Sequence, residues 1–274
     1  MGSVILPSMS ILKALLLVSV CALSAAVPPP PSPPVAPLLP GEALAISGPD
    51  GLVYRVGDAS DEFPMGCMAD LVWLKLEGSE WGAMNVQFNC TGKFQGRACW
   101  LPKGHGKVDL AKALAANCDL AFMSWAQESV KWWLRDLGEG PARAMLDDTF
   151  APFLGGRLPP GNELPPMGPA WVGDGDLLRT SPVDMLRWLM DPAQDETVRR
   201  TRRLLLSFNQ ANYKEGMWWV ETGTAPVIGS RDGRSAWAAG GNGQILAVLH
   251  LAQGMGKIDA MNRFRAIMRV PPDK

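Results

Sequence analysis

Four cysteines, two histidines, a threonine–glycine–threonine run and an aspartate pair are the side chains that could do chemistry in this sequence. Cys67, Cys90, Cys99 and Cys118 lie in the body of the chain. A cysteine nucleophile needs a base or a cation beside it to form the thiolate, and the residues after Cys67, Ala69 and Asp70, supply neither. Cys90 and Cys99 bracket Gly92 and Gly96, so a disulfide between them would close a small loop. No cysteine–histidine spacing reads as a metal site, because His105 and His250 stand far apart and without partners. No metal and no cofactor is therefore expected. His105, between Gly104 and Gly106, reads as a turn residue, and Asp147-Asp148 as a solvated pair or cap. Trp218 and Trp219 precede Glu221-Thr222-Gly223-Thr224-Ala225. On a strand they face opposite sides, which makes Trp219 a candidate to line a cleft and stack on a sugar.

The elements that must position these residues follow from the apolar pattern. Leu44–Ser47 and Leu52–Val56 flank Pro49-Asp50-Gly51, a turn between two opening strands. Leu71–Leu76 is helix or strand by periodicity alone, and 78–106 is rich in glycine and reads as loop with short strands. Leu110, Leu114, Asn117 and Ala121 share a helix face over 108–128, broken at Asn117-Cys118-Asp119. Helical composition continues to Leu137, where Gly138 and Gly140 stop it. Residues 151–170 form a long loop, and helices begin at Pro182 and Asp195. Strands are expected at 218–220, 235–239 and 245–249, and a last helix at 259–268. The implied fold is α+β, with N- and C-terminal strands in one antiparallel sheet packed against a helical subdomain.

The N-terminal residues point to export. Lys13 precedes the apolar run Ala14–Leu23, and Ser24-Ala25-Ala26 offers a cleavage site. Residues 1–26 read as a signal peptide, 27–42 as a proline-rich linker and 43–274 as one domain. An uncleaved signal, or a lipid on Cys21, is the only expected tie to a membrane. The formal net charge of the 274 residues is −1, which leaves no basic footprint for nucleic acid.

Four segments, in order, carry a resemblance. Phe63-Pro64-Met65-Gly66-Cys67-Met68-Ala69 comes first. Cys99-Trp100-Leu101-Pro102 leads to Asn117-Cys118-Asp119-Leu120-Ala121-Phe122. Gly173-Asp174-Gly175 precedes Thr180-Ser181-Pro182, and Glu221-Thr222-Gly223-Thr224-Ala225 closes the set. Together they resemble the penicillin-binding transpeptidase and class D β-lactamase superfamily across about residues 43–256. The resemblance implies a Ser-x-x-Lys nucleophile, a Ser-x-Asn proton relay and a Lys-Thr-Gly strand that holds the substrate carboxylate and helps to form the oxyanion hole.

Carried over with Pro64 as the anchor, Gly66 takes the nucleophile position and Ala69 that of its lysine. Asn117 and Asp119 replace the serine and asparagine of Ser-x-Asn, and Glu221 replaces the strand lysine, while Thr222, Gly223 and Thr224 persist. A lysine at ~4 Å would attract a carboxylate by ~4 kcal/mol at an effective dielectric of ~20, and a charged Glu221 would repel it as much, unless Arg231 or Arg234 paired with it. The family's converging motifs also suggest a Cys67–Cys118 bridge. The implied function is a transpeptidase-like domain without transpeptidase chemistry. It would bind peptidoglycan or a cell-wall synthesis protein outside the cytoplasmic membrane. The alternative is an active transpeptidase or β-lactamase with rewired residues.

Overall fold

The computed structural model describes residues 37–270, apart from 49–50, 52, 156–168, 210–217, 228 and 231–232. The signal, most of the linker, the centre of the long loop, and Arg231 lie outside the described residues. No described helix is long and apolar enough to cross a membrane.

Five antiparallel strands form the main sheet. They are β1 (Glu42–Ser47), β2 (Val53–Val56), β9 (Trp219–Pro226), β10 (Arg234–Gly241) and β11 (Leu246–Leu251), in the order β2-β1-β11-β10-β9. The ends of the domain thus meet in one sheet, through the β1–β11 pairing of Leu44 with Leu249. Alternation along β1 sends Leu44 and Ile46 to one face, where they meet Phe264 and Ile267 of α7 (Met261–Met268). Ala43 and Ala45 join the larger core on the other face. β10 is buried along almost its whole length, as a strand covered on both faces must be.

The helical layer comprises α1 (Ala69–Met84), α2 (Leu110–Ala115), α3 (Asp119–Asp136), α4 (Glu139–Phe150), α5 (Pro182–Met190) and α6 (Asp195–Asn209). The ambiguous run Leu71–Leu76 is therefore helix. α1 also runs through Gly78 and Gly82, which the sequence placed in loop. Each glycine costs a helix ~1 kcal/mol, but Trp73 and Trp81 on this helix are fully buried, and burying such side chains outweighs that cost. α3 stops ahead of Gly138 as expected, but α4 starts at the next residue, and Gly140 lies inside it. The break at 117–118 is present between α2 and α3.

Caps set the helix starts. The Asp109 carboxylate accepts the Lys112 backbone N–H at 2.8 Å ahead of α2, and Ser181 Oγ accepts that of Asp184 at 3.0 Å ahead of α5, with Pro182 in the first turn. Three two-stranded sheets complete the fold. β3 (Phe63–Pro64) pairs with β8 (Arg179–Thr180), β4 (Gln87–Cys90) with β7 (Gly106–Asp109), and β5 (Lys93–Phe94) with β6 (Arg97–Ala98).

A cleft beside the edge strand and a thiol–imidazole cluster

The edge strand β9, the start of α1 and the α2–α3 corner meet at a cleft of about 360 Å³. Cys67, Arg97, Trp100, Asn117, Asp119, Asp174, Thr224, Arg234 and Lys257 are among the residues that line it. Three of the four segments picked out by the sequence come together here directly, and the Gly173-Asp174-Gly175 loop adds Asp174.

Of Gly66 and Cys67, only Cys67 presents a side chain to the cleft. Gly66 has φ +56°, and a Cβ on it would lie 2.2 Å from the Thr224 carbonyl oxygen, so no side chain fits at Gly66. The next residue, Cys67, turns its sulfur into the cleft wall, 3.6 Å from the same oxygen. Asp70, three residues on, and Ala69 are both fully buried. The Pro64 carbonyl accepts the Trp237 indole N–H at 2.8 Å.

Cys67 is a protonated thiol in this setting. Burial, then the Asp119 and Asp70 carboxyls, push it well above the ordinary thiol range. Asp70 is fully buried with no hydrogen-bond partner on either oxygen among the described residues. Burial first, then Asp119 and Glu221, push its carboxyl well up, against the pull of Arg97. Asp119 is raised too, chiefly by burial, although Arg97 lowers it. Arg97 bridges two cleft carboxylates, with Asp174 at 2.7 Å and Asp119 at 3.6 Å.

Glu221 differs from expectation in the same way. It is buried beneath the cleft rather than lining it, and burial pushes it up to about 8, with Lys257 pulling the other way. At neutral pH its carboxyl is mostly neutral, so the expected repulsion of carboxylate ligands is not exerted from this position. Cations do line the cleft, but they are Arg97, Arg234 and Lys257. The Lys257 ammonium donates to the Ala115 carbonyl.

Asn117 locks the two walls together. Its Nδ2 donates to Thr222 Oγ1 at 2.9 Å and also to the Thr222 carbonyl oxygen. With Cys67 on the Thr224 carbonyl, two successive outward carbonyls of the edge strand are covered, which protects the edge from pairing with another strand. Of the three retained strand residues, Thr224 lines the cleft. Thr222 is buried in its bond to Asn117, and Gly223 is packed against the backbone of Cys67 and Met68. Trp219 is core, 1% exposed. The aromatic ring at the cleft is Trp100, 43% exposed, whose indole N–H donates to the Ala116 and Asn117 carbonyls at 2.9 and 3.0 Å.

Beside the cleft lies a second arrangement that the sequence reading missed. Cys90, Cys99, Cys118 and His105 each present a ligand atom, and these atoms all lie within 4.8 Å of one another. All four cysteines in the described residues are free thiols. Cys90 and Cys99, the expected disulfide pair, lie together in this cluster as free thiols, and Cys118 joins them. His105 has partners after all, since its Nδ1 lies 3.5 Å from Cys99 Sγ. His250 is elsewhere, stacked on Phe63 at 3.8 Å.

No protein-family profile matches the sequence, and no curated protein matches it. Solved structures do. The PBP2 of Pseudomonas aeruginosa superposes with a TM-score of 0.57 at 13% identity, over 83% of this chain and 72% of that one. The class D β-lactamase OXA-427 gives 0.57 at 17% identity, over 83% and 97%. The penicillin-binding protein PonA1 of Mycobacterium tuberculosis gives 0.55 at 12%, over 84% and 77%. The chain has the fold that these transpeptidase and class D β-lactamase domains share; at such identities the likeness is one of fold.

Proposed function

We propose that this chain is an exported, transpeptidase-fold binding module that engages peptidoglycan or a wall-synthesis protein through its cleft and performs no acyl transfer. The observation that carries the reading is the surroundings of Cys67. The side chain that takes the nucleophile's place is a buried thiol facing two carboxyls, with no base or cation of the kind that makes a thiolate. Asp70 follows Cys67 at the spacing of the family's proton-accepting lysine, and Glu221 takes the strand lysine's place in the motif while lying buried beneath the cleft.

The same cleft keeps features that suit a wall ligand. Trp100 offers an exposed ring on which a sugar can stack. Arg234 and Lys257 offer cationic groups to a peptide carboxylate, while Asp119 and Asp174 in the same lining are paired with Arg97. A pull-down with purified peptidoglycan tests this. The chain is expected to be retained above a heat-denatured control, and Trp100→Ala to weaken retention. Retention no better than the denatured control overturns the peptidoglycan reading.

A competing reading has one observation in its favour: Cys67 sits at the cleft wall, where an acyl-enzyme would form. In that case the chain would carry a covalent adduct after exposure to a β-lactam.

A further inference from the structure

We propose that Cys90, Cys99, His105 and Cys118 bind one zinc ion in a closed, structural site. A tetrahedral zinc with Zn–S of about 2.3 Å and Zn–N of about 2.0–2.1 Å sets ligand edges of about 3.8 Å between sulfurs and about 3.6 Å from sulfur to nitrogen. The cluster is gathered to near this scale: no pair of ligand atoms is farther apart than 4.8 Å, and Cys99 Sγ to His105 Nδ1 is 3.5 Å. Three thiolates and one imidazole are a soft donor set that suits zinc and excludes magnesium or calcium. With four protein ligands the coordination sphere is complete, which marks a structural rather than a catalytic ion.

The segments that carry the ligands are held by main-chain hydrogen bonds: the Cys99 N–H donates to the Gly92 carbonyl at 2.8 Å, and the Ala121 N–H to the Cys118 carbonyl at 2.9 Å. Cys118 also sits at the N-terminal end of α3, where the helix dipole favours negative charge. The loops carrying the ligands meet at a contact only glycine allows: a Cβ on Gly104 (φ +72°) would lie 2.1 Å from the Cys90 carbonyl oxygen. A disulfide accounts for two of the three sulfurs and gives His105 no role, whereas a zinc ion uses all four groups.

The ion would tie together the end of β4, the strand end after β6, the loop before β7 and the α2–α3 corner. Cys118 lies between Asn117, which is bonded to Thr222, and Asp119, which faces Cys67. Arg97 precedes Cys99 by two residues. The proposed ion therefore fixes one wall of the cleft without taking part in any reaction there, and the proposal does not depend on what the cleft binds.

Metal analysis of the purified chain by inductively coupled plasma mass spectrometry tests this, together with thiol counting and cobalt substitution. One zinc per chain is expected, with cobalt giving sulfur-to-metal charge-transfer bands and the visible bands of a tetrahedral site. His105→Cys should keep the ion, His105→Ala and Cys99→Ser should lose it, and Cys67→Ser should leave the zinc content at one. Should the substituted chains fail to fold, the wild-type stoichiometry and cobalt spectrum decide alone. A metal-free chain, whether its thiols are all alkylated or two of them are joined as a disulfide, overturns the proposal. So does one that carries iron instead of zinc, or that keeps its zinc in both His105→Ala and Cys99→Ser.

Discussion

Gly66 and Thr224 are in backbone contact so close that no side chain fits between them. The carbonyl oxygen of Thr224 lies 2.2 Å from where a Cβ on Gly66 would stand. This contact presses the turn before α1 onto the edge strand and gives Cys67, rather than its neighbour, the view of the cleft.

Gly66→Ala should therefore destabilise the fold by ~2–4 kcal/mol, the sum of a left-handed backbone forced on a Cβ and a clash with main chain that cannot swing away. Urea unfolding measures it. Gly66→Ser should cost as much and gain no reactivity towards a β-lactam, since the hydroxyl would have no room at this position.

The Asn117–Thr222 tie can be separated from the backbone conformation it accompanies. Asn117 has φ +50°, a region that asparagine and glycine tolerate and alanine does not. Asn117→Ala should cost ~2–4 kcal/mol, through the lost hydrogen bonds to a buried strand and the left-handed backbone together. Asn117→Gly removes the bonds and leaves the backbone at ease, so it should cost ~1 kcal/mol less. Equal losses in the two variants would contradict this division.

Glu221 should make stability depend on pH around neutrality. Burial raises its carboxyl from the ordinary range near 4.5 up to about 8, opposed by Lys257 and assisted by Asp119. The folded state then binds the proton more tightly than the unfolded state. The contribution is full below about 4.5 and is lost as pH rises through about 8, at ~1.4 kcal/mol per unit in between. Glu221→Gln has no proton to lose, so its unfolding free energy should gain on wild type as pH rises from 5 to 8. Parallel curves would contradict the assignment.

His250 works at the other end of the scale. Burial against Phe63 and Trp237 lowers it from near 6.5 to about 3, and neither ring nitrogen has a hydrogen-bond partner among the described residues. Between those values the unfolded state holds the proton and the folded state does not. Stability therefore falls as pH drops through that window, again by ~1.4 kcal/mol per unit. His250→Leu should flatten this part of the acid limb and, by removing two unsatisfied buried nitrogens, raise stability at pH 7 by ~1–3 kcal/mol. An unchanged acid limb would refute this role.

The fold was legible because its signals are local or periodic. Strands β1 and β2, the corner at Asn117-Cys118-Asp119, the Ser181-Pro182 helix start and the Thr222-Gly223-Thr224 strand all stand where their patterns place them. The segments that meet at the cleft were legible, and the side chain each presents was not. Pro64 marks the turn before α1, but only the φ of Gly66 and its contact with Thr224 reveal that the cleft-facing side chain is Cys67. Arg97 and Lys257 carry no motif and reach the cleft from distant segments. The sign of Glu221's influence depended on burial, which no spacing encodes. The cysteine–histidine cluster was hidden for a similar reason. Its ligands come from separate strands, loops and a helix corner, so the short ligand spacings of compact zinc motifs are absent. The signal that was available is the paired glycines around Cys90 and His105, which let the two loops approach.

The central claim is that a cleft of transpeptidase shape here carries no acyl-transfer chemistry, and the mass of the intact chain after incubation with a fluorescent penicillin tests it most directly. The account predicts an unchanged mass and no fluorescence on the chain, because Cys67 stays a protonated thiol between Asp70 and Asp119. A covalent adduct of one penicillin, lost in Cys67→Ser, would contradict it.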